Sequence, residues 1–198
     1  MDAKSRRWIW ITSLVVFCVL AAGRLATNGT DGQTFLIALL VVVLIGACVF
    51  PWLVRRLTKV VANARTHRPG AVVIPGYTAS EMLDVARAAG ASTAGIASQG
   101  GSPVAIVVLP HAYEVWVRTE SAPRWSVPRG PSTEVGVLPG VYGSRSVPSV
   151  AVLVEGYPGL VVIPAYRPLR NSAGSDQAGI ERALVELGGA SVAPHAAS

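Results

Sequence analysis

Val104–Arg118, VAIVVLPHAYEVWVR, is the segment from which the architecture can be built. Val104–Leu109 is an unbroken apolar run closed by Pro110, which cannot donate to a ladder. Tyr113–Arg118 alternates, with Tyr113, Val115 and Val117 on one face and Glu114 directed away from the core. Two such runs across a short Pro110-His111-Ala112 link predict an antiparallel hairpin.

The same signals recur on both sides. Val150–Val154 and Leu160–Ile163 form a second strand pair across the turn-rich Glu155-Gly156-Tyr157-Pro158-Gly159. Glu134–Leu138 reads as a weaker strand and 119–133, rich in Pro and Arg, as loop. Upstream, Ala71–Ile74 suits a short buried strand. Thr78-Ala79-Ser80-Glu81 has the form of a capping box before a helix with Met82, Val85, Ala86 and Ala89 on its apolar face and Gly90 at its stop. Downstream, Ser175 or Asp176 caps a helix whose Ile180, Ala183, Leu184 and Leu187 recur at i, i+3, i+4, i+7, with Gly188-Gly189 ending it. The tail SVAPHAAS has nothing to pack.

Short antiparallel strands followed by one amphipathic helix resemble the pleckstrin-homology-like fold, in which the helix plugs an open barrel. The whole layout also resembles small two-span membrane proteins of high-GC, actinobacterial-type bacteria. The Ala/Val/Gly/Arg bias and the use of lysine only at Lys4 and Lys59 fit that background.

The N-terminal third is different. Trp8–Gly23 and Gly32–Val54 are uncharged runs of sixteen and twenty-three residues, and they raise the mean hydropathy to +0.47. A bilayer core takes about 20 apolar residues as a helix, because unpaired backbone groups are costly in lipid. Spans of about 8–26 and 33–54 are therefore expected. Lys4, Arg6 and Arg7 precede the first; Arg55, Arg56, Lys59, Arg65 and Arg68 follow the second. The bias of Lys and Arg to the inner side places both termini in the cytoplasm. Trp8, Trp10 and Trp52 fall at the inner ends, where indole rings favour the headgroup layer. Trp8, Trp10, Trp52, Arg6, Arg7, Arg55, Arg56 and Lys59 are thus the expected membrane-interface anchors. The first run reads as a retained span rather than a cleaved signal peptide.

Past Pro51, Leu53, Leu57, Val60, Val61 and Ala64 keep helical spacing, as a stalk or as a helix lying on the inner leaflet. Four units are expected: a transmembrane hairpin (1–54), a basic linker (55–69), an α+β domain (70–188) and a tail (189–198).

Charge follows the same division. Residues 1–68 carry nine basic and two acidic groups; residues 69–198 carry eight and nine. The pI of 9.9 therefore belongs to the N-terminal third, and a near-neutral C-terminal module excludes a phosphate-gripping nucleic-acid domain. Cys18 and Cys48 lie in the apolar runs without metal-ligand spacing. Gly95–Ser102 approaches a phosphate loop, but Gly101 stands in place of the lysine and Pro103 and a strand follow, so it reads as a flexible linker. His67, His111 and His195 are dispersed, as are the acids Glu81, Asp84, Glu114, Glu181 and Glu186. Neither a catalytic, a cofactor nor a metal site is expected. Arg124, Arg129, Arg145, Arg167 and Arg170 fall in loops and form a candidate anion or partner patch.

The sequence-level expectation is an α+β chain: a two-helix transmembrane hairpin, then a small antiparallel β-rich, pleckstrin-homology-like domain with a C-terminal amphipathic helix. It is expected to be a two-pass inner-membrane protein touching the lipid bilayer and anchoring an interaction or scaffolding module for protein partners or self-association. The alternatives are an anionic-lipid or ligand sensor and an enzyme with a dispersed site.

Overall fold

The computed structural model of the chain describes residues 40, 41, 44, 54–167 and 176–189. Helix α1 covers 54–67. It is followed by β1 (Val72–Thr78), α2 (Met82–Ala88), β2 (Pro103–Val108), β3 (Ala112–Val117), β4 (Trp125–Pro128), β5 (Thr133–Tyr142), β6 (Arg145–Val154), β7 (Tyr157–Pro164) and α3 (Gln177–Leu187).

The seven strands form one antiparallel sheet in the order β4-β3-β2-β1-β7-β6-β5. Two meanders are joined through β1, which pairs with β2 along Val72–Tyr77 and with β7 at Gly76–Thr78. Gly76 lies at this junction because a Cβ there would run into the Val162 side chain and sit 2.9 Å from the Ile163 carbonyl oxygen. Only a residue without a side chain lets β1 and β7 approach this closely.

The alternation of the strands divides the apolar residues between two faces. On the inner face Ile74, Val104, Ile106, Tyr113, Val115, Val117, Val150, Val152, Leu160 and Val162 are buried together with α2 and α3. The buried side of α3 is Ile180, Ala183, Leu184 and Leu187. Its last turn is tied down twice: the Tyr113 hydroxyl donates to the Leu187 carbonyl at 2.7 Å, and the Gly189 amide donates to the Leu184 carbonyl at 2.8 Å. Gly188, at φ 85°, makes the left-handed stop that such a terminus requires. On the outer face Val73, Ala105, Val107, Trp116 and Ala165 are covered by Leu57, Val60, Val61 and Ala64 of α1.

These findings correct the expected fold class and the expected placement. The described residues form a seven-stranded antiparallel sheet with three short helices, in place of a two-helix transmembrane hairpin leading into a pleckstrin-homology-like domain with one closing helix. Among them, no helix is long and apolar enough to cross a membrane, which leaves the two-pass inner-membrane assignment with cytoplasmic termini without support. The expected spans, 8–26 and 33–54, lie almost wholly outside the described residues, as do the tail after Gly189 and Cys18 and Cys48. The physical reason is plainest in α1. Its apolar stripe, which suits a stalk or a lipid surface, is consumed by the sheet. Hydropathy shows that an apolar face must be covered, not by what.

Local expectations change in the same way. The stretch 119–133 contains β4; its prolines fit because β4 is a short edge strand. β5 runs ten residues through Gly136, Pro139 and Gly140. Thr78 is not a helix cap: it ends β1, fully buried, and its hydroxyl accepts from the Ser102 amide at 3.1 Å. Glu81 instead accepts from the Val141 amide at 3.2 Å.

That last contact also explains the far edge of the sheet. The Val141 amide donates to Glu81 and its carbonyl accepts from the Ser80 amide at 2.9 Å, so the Val141 backbone faces away from β6. Pro139, two residues back, shares that orientation and has no N–H to offer. The outer edge of β5 is therefore blunted over its second half, as exposed edges of stable sheets are.

Candidate functional site

Most polar groups that drew attention in the sequence are engaged in holding the domain together. Glu114 is the clearest case. It does point away from the inner core, but α1 covers that face and leaves the residue 6% exposed. Its carboxylate accepts from Arg68 Nε at 2.9 Å and Nη2 at 2.7 Å, and from the indole N–H of Trp116 at 3.1 Å. The Arg68 guanidinium lies 5.7 Å from the Trp116 ring centroid, and its hydrogen bonds to Glu114 hold its pKa above the ordinary arginine value. His67 completes the cluster, its ring centroid 5.2 Å from that of Trp116 and its Nδ1 donating to the Asn63 carbonyl at 2.9 Å.

A second cluster ties α3 to the chain after β7. Tyr166 donates to Glu186 at 2.5 Å, Arg182 donates to the same carboxylate at 2.7 Å, and the Arg182 guanidinium lies 4.3 Å from the Tyr166 ring centroid. Burial, and then the bond to Glu186, push the Tyr166 phenol well above its usual range. Neither cluster was legible from spacing, because Arg68 and Glu114 are 46 residues apart and Tyr166 and Glu186 are 20 apart.

Of the five loop arginines, four lie among the described residues. Arg124 pairs with Glu120 and donates to the carbonyls of Ser92 and Ala94. Arg129 lies 5.6 Å from the Tyr113 ring centroid and donates to the Leu109 carbonyl. Arg145 and Arg167 are exposed at the start of β6 and past β7, and Arg170 lies outside the described residues. Of the expected membrane-interface anchors, Arg55, Arg56 and Lys59 lie on α1, while Trp8, Trp10, Trp52, Arg6 and Arg7 lie outside the described residues.

The glycine-rich stretch Gly95–Ser102 is not a free linker either. The Gly101 amide donates to the Thr78 carbonyl at 2.7 Å, the Ala97 amide to the Ser102 hydroxyl at 2.8 Å, and the Gln99 carbonyl accepts from the Gly143 amide at 2.8 Å. Amides that would cradle a phosphate are already used. His111 is exposed at the β2–β3 turn, and His195 lies outside the described residues. Among the described residues, no group of three or more His, Cys, Asp or Glu side chains could hold a metal ion.

What remains open is a corner of the sheet where β5 begins and β6 turns into β7. Cross-strand register puts Glu134 opposite Leu153, and Tyr157 opposite Val154. A concavity of about 570 Å³ opens there, lined by Pro131, Ser132, Glu134, Leu153, Val154, Glu155 and Tyr157. Leu153 is 46% exposed and Tyr157 59%. In sequence these residues carry only strand and turn signals. The signal was a tyrosine inside a Gly/Pro turn near a glutamate, and only the fold brings Glu134 to the same concavity.

No family model, no curated protein and no solved structure matches this chain. Nothing in these comparisons bears on the pleckstrin-homology-like resemblance or on the two-span bacterial proteins.

Proposed function

We propose that the sheet domain is a protein-docking module and that its docking face is the corner around Leu153 and Tyr157. The observation that carries this reading is a contrast within the domain. Tyr113, Trp116 and Tyr166 are each packed against one of the chain's own arginines, while Tyr157 stands exposed beside an exposed leucine in a concave surface. An amphipathic aromatic next to an apolar neighbour in a concave surface is the composition of an interface centre. The blunted second half of the β5 edge disfavours partner docking by strand addition there.

Position-specific photocrosslinking in the producing cells tests this. A photoreactive residue at Tyr157 is expected to give discrete protein adducts that Leu153→Glu abolishes; the same residue at the exposed Asp84 gives none. Adducts of equal yield at both positions, or none at Tyr157, would overturn the reading.

A further inference from the structure

We propose that the corner formed by Pro131, Glu134, Leu153, Glu155 and Tyr157 is a receptor for an arginine side chain carried on an apolar segment of a protein partner. The inference rests on the docking-module reading above and adds the chemistry of what docks.

This chain holds two of its own arginines in one way. Arg68 is stacked near Trp116 and paired to Glu114; Arg182 is stacked on Tyr166 and paired to Glu186. In both places an aromatic face and a carboxylate lie side by side, and the occupant is a guanidinium. The physics is general. The planar cation is attracted to the ring's negative face while its N–H fork satisfies the carboxylate, and neither contact excludes the other.

The corner lines one concavity with the same kinds of group and no cation. Tyr157 supplies the ring, and Glu134 and Glu155 supply two carboxylates. Among the described residues neither glutamate has a hydrogen bond or an ion pair, and no arginine lies over Tyr157. Leu153 and Pro131 add an apolar wall, which asks for an apolar neighbour beside the cation. Charge complementarity then selects the partner. Two unpaired carboxylates repel phosphate, so anionic lipid and nucleic acid are disfavoured. A purely apolar segment would bury both glutamates without a partner, at a cost. Lysine brings charge but neither the planar face nor the fork.

The test is fluorescence polarisation with the full-length chain and a labelled nonapeptide of alternating arginine and leucine. Its counterparts carry lysine or glutamate for arginine. Saturable binding of the arginine peptide is expected, weakened about fivefold by lysine and abolished by glutamate. Glu134→Gln with Glu155→Gln is expected to weaken it about tenfold, and Tyr157→Leu, which keeps the apolar bulk but removes the ring, about fivefold. These positions are exposed, so circular dichroism of the variants should match that of the parent. Equal binding of the arginine and lysine peptides, or no response to either the glutamine pair or Tyr157→Leu, would overturn the inference. So would concentration-dependent self-association lost in the glutamine pair, because the occupant would then be a second copy. If no peptide binds while adducts at Tyr157 persist, the arginine chemistry falls and the docking module stands. If the adducts are absent too, both fall.

Discussion

Leu184→Ala is expected to destabilise the domain by about 3 kcal/mol, within the usual range for a buried leucine cut to alanine. Leu184 is 1% exposed and sits in the middle of the α3 face that closes the inner side of the sheet. That face reaches β1, β5, β6 and β7, which belong to both meanders, so the void would open where the two halves depend on a shared lid. The side chain cannot be replaced by a neighbour, since Ile180 and Leu187 on the same face are already packed. In thermal unfolding the change should appear as a fall of about 10 °C in Tm. Val185, one residue on and 62% exposed, provides the control: Val185→Ala should leave Tm nearly unchanged. Equal effects at the two positions would mean that α3 does not pack as described.

Arg68→Met carries the second large effect. The variant leaves the Glu114 carboxylate, with 8% of its side chain exposed, under α1 with only the Trp116 indole to answer it. An uncompensated buried charge costs about 3 kcal/mol, far more than a surface pair is worth. The effect depends on what is left behind, which the double variant separates. Arg68→Met with Glu114→Leu removes both charges and should recover at least half of the loss, the remainder reflecting the indole N–H without its acceptor. Denaturant midpoints at constant m-value would measure both. A single-variant cost below about 1 kcal/mol would show that the pair is solvated and that α1 lies off the sheet.

These two sites show how far the sequence could be read. α3 was legible because its periodicity, its stop at Gly188-Gly189 and its position after the last strand all agree, and such local signals need no knowledge of neighbours. The β2–β3 hairpin was legible for the same reason. Glu114 was legible by half. Alternation told which face it is on, but not that α1 covers that face, and a face that is covered reverses the meaning of the charge on it. β4 and the second half of β5 were hidden by Pro123, Pro128, Pro139 and Gly140, residues that argue against a central strand yet are tolerated at the two edges these strands occupy. The corner around Tyr157 was the least legible. Its two carboxylates are brought together by the pairing of Glu134 with Leu153, a fact of register rather than of composition. The roles of Arg124 and Arg129 were not legible either: their carbonyl partners, Ala94 and Leu109, are 30 and 20 residues away in sequence.

The shared lid of α3 requires one continuous sheet, and continuity rests on the short β1–β7 junction. Nuclear Overhauser contacts in the labelled protein test it most directly. Backbone protons of Tyr77 should show cross-strand contacts to Pro103 on one side and to Ile163 on the other, in the same sample. Contacts from Tyr77 to Pro103 without any to Ile163 would mean two separate sheets and would contradict the fold on which the rest is built.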